Sequence, residues 1–290
     1  IRISNVGNAT VGMAIRATNV QMEEVEISNF PIALLAINST GLNLYNTRIA
    51  NCYDGIRLVA TSYSSFNNIS IMRGALGLVL ENSWGNRFNN LYIVGVTRGL
   101  VIEARNVKGY HNIFSDVIVN GKPIKYLVNV TGGEVSGELG HLALVNCRNV
   151  KVHDVKIRGG YVGILLVNTS NSEVLRANIS GCEFGVRILS SYRNYLKNIN
   201  TSSNRVGLQL LMSRENTVEE CSVTRNLWGL MLIGSSLNKF KNNKFNDNVF
   251  AIRVESPVPD PASYFNYFDE GNEVNGKPVK YLVNASGILV

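Results

Sequence analysis

Three features of this 290-residue sequence predict an all-β fold, a right-handed parallel β-helix with coils of about 22 residues. Small residues recur every 22 positions: Gly55, Gly77 and Gly99, with Ala33 one period earlier, then Gly163, Gly185, Gly207 and Gly229, with His141 one period before and Ala251 one after. Each marker precedes an apolar–x–apolar step, such as Ile56-Arg57-Leu58 or Leu208-Gln209-Leu210. The chain also holds 38 Asn against 2 Gln. Helices and ordinary strands disfavour Asn, whereas tight turns accept it, because its amide bonds nearby backbone and it tolerates left-handed angles.

Each part of the coil follows in order. After the marker strand comes an apolar residue near marker plus 11 (Leu44, Phe66, Phe88, Val174, Leu196, Val218, Phe240). Another lies at plus 16 (Ile49, Ile71, Ile93, Ile157, Ile179, Val223, Phe245). Three period-two segments per coil, separated by Asn, Ser and Gly, read as three strands and three turns, so the unit is a triangular coil and the stack has three parallel sheets. A spacing of two, with abundant β-branched residues, excludes helical solenoids. A lone coil buries nothing; stacked coils share an interior, each adding about 4.8 Å. Equivalent residues then lie above one another, and inward Asn at the turns are expected to form amide ladders. Roughly eleven to twelve coils are expected at this length and period.

A longer repeat overlies the coils. Asn120-Gly121-Lys122-Pro123-Ile124-Lys125-Tyr126-Leu127-Val128-Asn129 recurs, with nine of ten residues matching, as Asn275 to Asn284. The residues after the first copy (Asn149 to Ile157) parallel Asn19 to Ile27 near the start. The expectation is one continuous solenoid of two related blocks, 1–133 and 134–290, each closed by an Asn-Gly-Lys-Pro hairpin or loop. The second block carries about one extra coil and a Pro-rich excursion at Pro257, Pro259 and Pro261.

Composition narrows the classes of function. Net charge is +7 with pI near 9.2, yet only 17% of residues are charged and no basic run stands out. The positive charges are spread along the chain, an ordinary basic surface that gives no reason to expect nucleic acid as a partner. No stretch reaches the 18 or so apolar residues of a membrane span, so no transmembrane segment is expected. Cys52, Cys147, Cys182 and Cys221 show no CxxC spacing and no shared coil position, and are expected as buried free thiols. Asn-x-Ser/Thr sequons at Asn8, Asn38, Asn68, Asn129, Asn168, Asn178, Asn200 and Asn284 are the glycosylation candidates and favour an exported protein. The chain opens on Ile1 and not Met, as a processed or trimmed chain would.

With these residues in view, the Gly-Ile-x-Leu, Ser/Asn and Asn-x-Ile pattern resembles the parallel β-helix repeats of the CASH type, found in carbohydrate-binding proteins and sugar hydrolases. It also resembles NosD-type proteins, named for a periplasmic factor linked to copper-site maturation. The Asn-Gly-Lys-Pro-x-Lys-Tyr-Leu-Val-Asn element, followed by Leu144 to Cys147, is similar to repeats of large archaeal surface proteins. The resemblance covers nearly the whole chain and implies a fold, but one fold hosts many functions.

No catalytic site and no cofactor site is expected. Asp54, Asp116, Asp154, Asp247, Asp260 and Asp269 fall at different positions on separated coils. Glu81 and Glu103 share a position on adjacent coils, at a spacing approaching a retaining glycosidase pair, but two solvated side chains explain them equally well. Motifs resembling those of polygalacturonases, pectate lyases or mannuronan epimerases are absent. His111 and His153 hold the same coil position on either side of the Asn-Gly-Lys-Pro insertion, which makes them the candidate ligands of a Cu or Zn site; surface imidazoles are the plainer reading. Arg57, Arg187 and Arg253 share an outward position, whereas Trp84, Trp228, Tyr192 and Tyr195 are expected on other faces, which leaves carbohydrate binding to the resemblance.

Neither chain end shows an amphipathic capping helix, although open solenoid ends normally carry polar caps. The favoured expectation is therefore an extracellular or cell-surface structural protein, either part of a longer chain or associating end to end with other copies into a filament or surface layer. The alternatives are a carbohydrate-binding or degenerate polysaccharide-processing protein, with a glycan as partner, and a NosD-like, copper-linked periplasmic protein.

Overall fold

The computed structural model describes residues 1–258 and 260–283. Period-two apolar residues and Asn-rich corners give a right-handed β-solenoid of about twelve turns with about 22 residues each. Helix among the described residues is confined to two short 3-10 turns, Val107–Tyr110 and Pro261–Tyr264. The residues pack as two compact units: one of residues 1–128, 138–145 and 159–161, the other of residues 129–137, 146–158 and 162 onward.

One coil of the second unit shows the construction. Strands Phe184–Leu189, Tyr195–Lys197 and Asn200–Ser202 are followed by Val206–Leu211, Thr217–Glu219 and Ser222–Thr224. Each strand pairs in parallel with its successor, Val186 with Leu208, Leu196 with Val218 and Thr201 with Val223. A marker glycine sits where no side chain fits. A Cβ on Gly207 would stand 2.6 Å from Val223 Cγ1 and 2.8 Å from the Gly229 carbonyl oxygen.

The corners explain the asparagines. Among the described residues, 33 non-glycine residues have positive φ, and 17 of these are Asn. Corner positions stack in columns, for example Asn149, Asn171, Arg193, Glu215 and Leu237, with φ of 55°, 51°, 57°, 57° and 58°. A second set of asparagines points inward and forms the expected ladder. In the second unit Asn194 Nδ2 donates to Asn216 Oδ1 at 3.0 Å, Asn216 to Asn238 at 3.1 Å and Asn238 to Asn266 at 3.0 Å. These amides also satisfy backbone groups of buried turns, which would otherwise go unpaired.

Like stacks on like inside each unit. In the first, Phe66, Phe88 and Phe114 form a pile with centroids 5.0 Å apart, continued by Tyr126 at 4.7 Å. The Tyr126 hydroxyl donates to the Tyr110 carbonyl at 2.6 Å, and its burial pushes the phenol pKa well up. His141, at a marker position, lies buried with its ring 6.2 Å from Tyr126. All four cysteines are free and buried, and desolvation pushes the Cys221 thiol up to about 12.

Both Asn-Gly-Lys-Pro elements fold as antiparallel hairpins. Val119 pairs with Lys122 and Val274 with Lys277, leaving two-residue turns. Both turn residues have positive φ, 47° and 79° in Asn120-Gly121 and 51° and 75° in Asn275-Gly276. That geometry matches strand twist and is the reason Asn-Gly is favoured there. Of the Pro-rich excursion, Pro261 opens the second 3-10 turn, whose cap is Asp260 Oδ1 accepting from the Ala262 N–H at 3.0 Å. Pro259, Asn284 and the final residues Gly287 to Val290 lie outside the described residues.

Candidate functional site

The second unit carries a groove of about 660 Å³ that combines aromatic, apolar and charged side chains. Its length follows a column of the plus-10 strands: Thr217 pairs with Lys239 and Lys239 with Tyr267. Beside that column runs the left-handed corner column of Arg193, Glu215 and Leu237. The Asn238–Asn266 amide pair of the buried ladder lines the groove as well. Phe265, Tyr267 and Tyr281 complete the upper part, from the segment beyond the 3-10 turn Pro261–Tyr264.

These groups have defined settings. Arg193 Nε donates to Glu215 Oε2 at 2.7 Å, which holds the Glu215 carboxyl below its ordinary range. The Tyr281 hydroxyl donates to the Tyr264 carbonyl at 2.7 Å, its ring lies 5.0 Å from Phe268, and partial burial raises its pKa. Tyr267 and Phe265 remain 56% and 38% exposed. Leu237 breaks a local rule twice. It is apolar yet 54% exposed, and it occupies a left-handed corner that lower coils fill with Asn149 and Asn171. Such inconsistencies concentrate at functional sites.

The marker-strand face of the same unit corrects one expectation. Trp228 does share a face with Arg187 and Arg253: Phe184, Val206, Trp228 and Phe250 form one column, and Arg187, Gln209, Met231 and Arg253 form another on the same strands. The Arg187 guanidinium lies 4.5 Å from the Phe184 ring centre and Arg253 5.1 Å from that of Trp228, which stacks on Phe250 at 4.2 Å. Strict alternation would put residues one before and two after the marker on opposite faces; the pairing skips the marker glycine, and that irregular step turns Trp228 to the side of Arg253. These arginines are engaged within the protein, Arg187 Nε with Gln209 Oε1 and Arg253 Nε with Glu255 Oε2, both at 2.8 Å.

The first unit has a polar groove of about 730 Å³, lined by Asn46, Asn68 and Asn90 with Arg48 and Tyr92. Asn68 Nδ2 donates to Asn46 Oδ1 at 2.7 Å and Asn90 Nδ2 to Asn68 Oδ1 at 3.1 Å, an outer ladder. Away from that groove, Glu81 and Glu103 are register partners, but each has its own contact: Glu81 pairs with Arg57, and Glu103 accepts from the Tyr161 hydroxyl at 2.6 Å.

The histidine candidates sit in unlike settings. His111 follows the 3-10 turn Val107–Tyr110 in the first unit, its Nε2 buried without a partner among the described residues. His153, in the second, faces carboxylates with both nitrogens, Asp154 Oδ2 at 2.9 Å and Glu134 Oε2 at 3.4 Å. A metal at His153 would have to displace one of those contacts. Among the described residues no group of three or more His, Cys, Asp or Glu side chains is placed to hold a metal ion, and no helix is long and apolar enough to cross a membrane. Of the sequon asparagines, Asn8, Asn38, Asn68, Asn129, Asn178 and Asn200 are exposed and Asn168 is half-buried; Asn284 lies outside the described residues. The amides of Asn68 and Asn168 are tied into outer ladders, Asn168 Nδ2 donating to Asn146 Oδ1 at 2.8 Å.

Residues 140–265 match the family model described as a right handed beta helix region. No curated protein matches the sequence. Among solved structures the chain is similar to the A-module of the Azotobacter vinelandii mannuronan C-5 epimerase AlgE6, at 10% identity and a TM-score of 0.40, over 90% of this chain and 77% of that one. It is similar to the periplasmic alginate epimerase AlgG, at 11% identity and a TM-score of 0.39, over 93% of this chain and 79% of that one. It is similar also to a hyperthermoactive exopolygalacturonase of Thermotoga maritima, at 11% identity and a TM-score of 0.33, over 86% and 56% of the two chains.

Proposed function

We propose that this parallel β-helix repeat protein binds glycan chains in the groove of its second unit and works outside the cytosol, at a cell surface or in an extracellular space. One observation carries the reading: the exposed aromatic residues Tyr267 and Phe265 share a groove with the hydrogen-bonding groups of Arg193, Glu215, Thr217 and Lys239. Sugars offer apolar C–H faces edged by hydroxyls, and aromatic rings beside fixed polar groups complement both. The column geometry suits a polymer, because Thr217 and Tyr267 lie two coils apart, about 10 Å at the rise of a strand stack. Exposed sequon asparagines support the location. The groove, and not the coil ends, is what this reading rests on.

Binding is the activity proposed, without turnover. Among the described residues that line the groove Glu215 is the one carboxylate, and Arg193 favours its ionised form. A panel of soluble polysaccharides tested by affinity electrophoresis should retard the protein with at least one of them. Tyr267→Ala should then weaken binding about tenfold, or ~1.4 kcal/mol. Tyr53→Ala, an equally exposed tyrosine in the first unit, should leave binding unchanged. No retardation by any glycan in the panel would end the proposal.

A further inference from the structure

We infer that the groove's ligand is an anionic glycan, one bearing carboxylate or sulfate groups along its chain; this rests on the glycan-binding reading above. On the coils below, most long cations have a carboxylate. Arg176 is bidentate to Asp154 at 2.7 and 2.8 Å, Arg193 meets Glu215 at 2.7 Å and Lys197 meets Glu219 and Glu220 at 2.8 and 3.1 Å. Arg205 pairs with Glu183 on the same coils.

The coil that forms the upper groove departs from this. Lys239 and Lys241 point outward from the strand Lys239–Lys241, and Lys244 from Lys244–Asn246. None of the three makes an ion pair with a described residue. Lys239 lies in register between Thr217 and Tyr267, neither of them acidic. Lys241 lies above Glu219, which Lys197 already holds, and one residue beyond the Phe240–Phe268 register pair, beside Asp269. Asp269 is turned to its own loop, its Oδ1 accepting from the Asn242 and Gly271 N–H groups at 3.1 Å each and from Asn272 Nδ2 at 2.8 Å. Lys244 has Glu273 as its register partner, without an ion pair between them. Within the lining, Arg193 and Glu215 cancel, which leaves the Lys239 ammonium as the net charge. A lysine ammonium is a compact, freely swinging charge, and here it stands beside the exposed Tyr267 ring in the same column. That pairing fits a sugar ring on the aromatic face with its acid group reaching Lys239, while Lys241 and Lys244 on the same coil add positive charge beside the groove.

The test compares polymers sharing one backbone: carboxymethyl cellulose and cellulose sulfate against neutral hydroxyethyl cellulose, with double-stranded DNA as a polyanion lacking a glycan chain. Binding of the intact protein is followed by affinity electrophoresis and by calorimetry. At least one of the two charged celluloses should bind tenfold or more tightly than the neutral one. The triple variant Lys239→Gln/Lys241→Gln/Lys244→Gln should remove most of that preference with unchanged far-UV circular dichroism, and Tyr267→Ala should weaken what binding remains. Raising NaCl from about 50 to about 500 mM should weaken the charged ligand more than the neutral one. Equal binding of charged and neutral celluloses overturns this inference and leaves the glycan reading standing. DNA binding as tight as the charged celluloses, and equally sensitive to the triple variant, also overturns it, because the lysines are then a general polyanion patch. Failure of every cellulose and of the wider polysaccharide panel removes the glycan reading itself.

Discussion

Leu237 carries the conflict between stability and function most clearly. A left-handed backbone costs an ordinary L-residue about 1–2 kcal/mol, and an exposed apolar side chain gains nothing by folding. Asn149 and Asn171 show what the same corner accepts in lower coils. Leu237→Asn should therefore raise the unfolding free energy by about 1 kcal/mol in urea titrations, while lowering glycan affinity, because it removes apolar area from the groove. A variant that becomes less stable, or binds as before, would show that the leucine serves packing alone. This residue was legible: it sits two periods of 22 beyond Arg193 and four beyond Asn149. A leucine in an apolar-rich repeat reads as core until its corner position is counted.

At the scale of elements, the inward ladder ties one coil to the next. Asn216 accepts from the Asn194 amide through both backbone and side chain at 3.0 Å, and donates to the Ser191 carbonyl and to Asn238 at 3.1 Å each. Asn216→Ala would leave several buried groups without partners, at about 1–3 kcal/mol each. A loss of about 3–4 kcal/mol by chemical denaturation is expected; a change under about 1 kcal/mol would mean that water replaces the amide. Sequence exposed these ladders because the step from Asn194 to Asn216 to Asn238 is one constant period. It did not expose the groove. Asn238 bonds to Asn266 across 28 residues, the interval lengthened by the Pro-rich excursion. Counting by 22 therefore places Tyr267 and Phe265 wrongly, and Tyr281 lies beyond the hairpin turn Asn275-Gly276. On the marker-strand face the period of 22 is countable but the facing is not, because the irregular step at the marker glycine turns Trp228 outward with Arg253.

Across the molecule, surface charge gives a pH dependence with a definite sign. Arg176 and then His153 hold the Asp154 carboxyl well below the ordinary carboxylate range. Arg193 lowers the carboxyl pKa of Glu215, and Lys197 that of Glu219. Each folded-state pKa lies below its unfolded value, so their stabilisation is complete above about pH 4–5 and is lost as pH falls through the folded values. Urea midpoints should drop between pH 7 and pH 3, by less in high salt, because these pairs face solvent. A midpoint that rises on acidification would contradict the assignment of these pairs as net favourable.

The constant 22-residue register has one further consequence. Every column from Asn171 to Leu237 meets equivalent neighbours above and below, so a cut and a join at matching corners reproduce the same interfaces. A single turn is thus a module that recombination can duplicate or excise without redesigning what it touches. Lengthening such a chain multiplies outward surface in steps, while its interior stays chemically the same, and ligand length can be tuned separately from foldability.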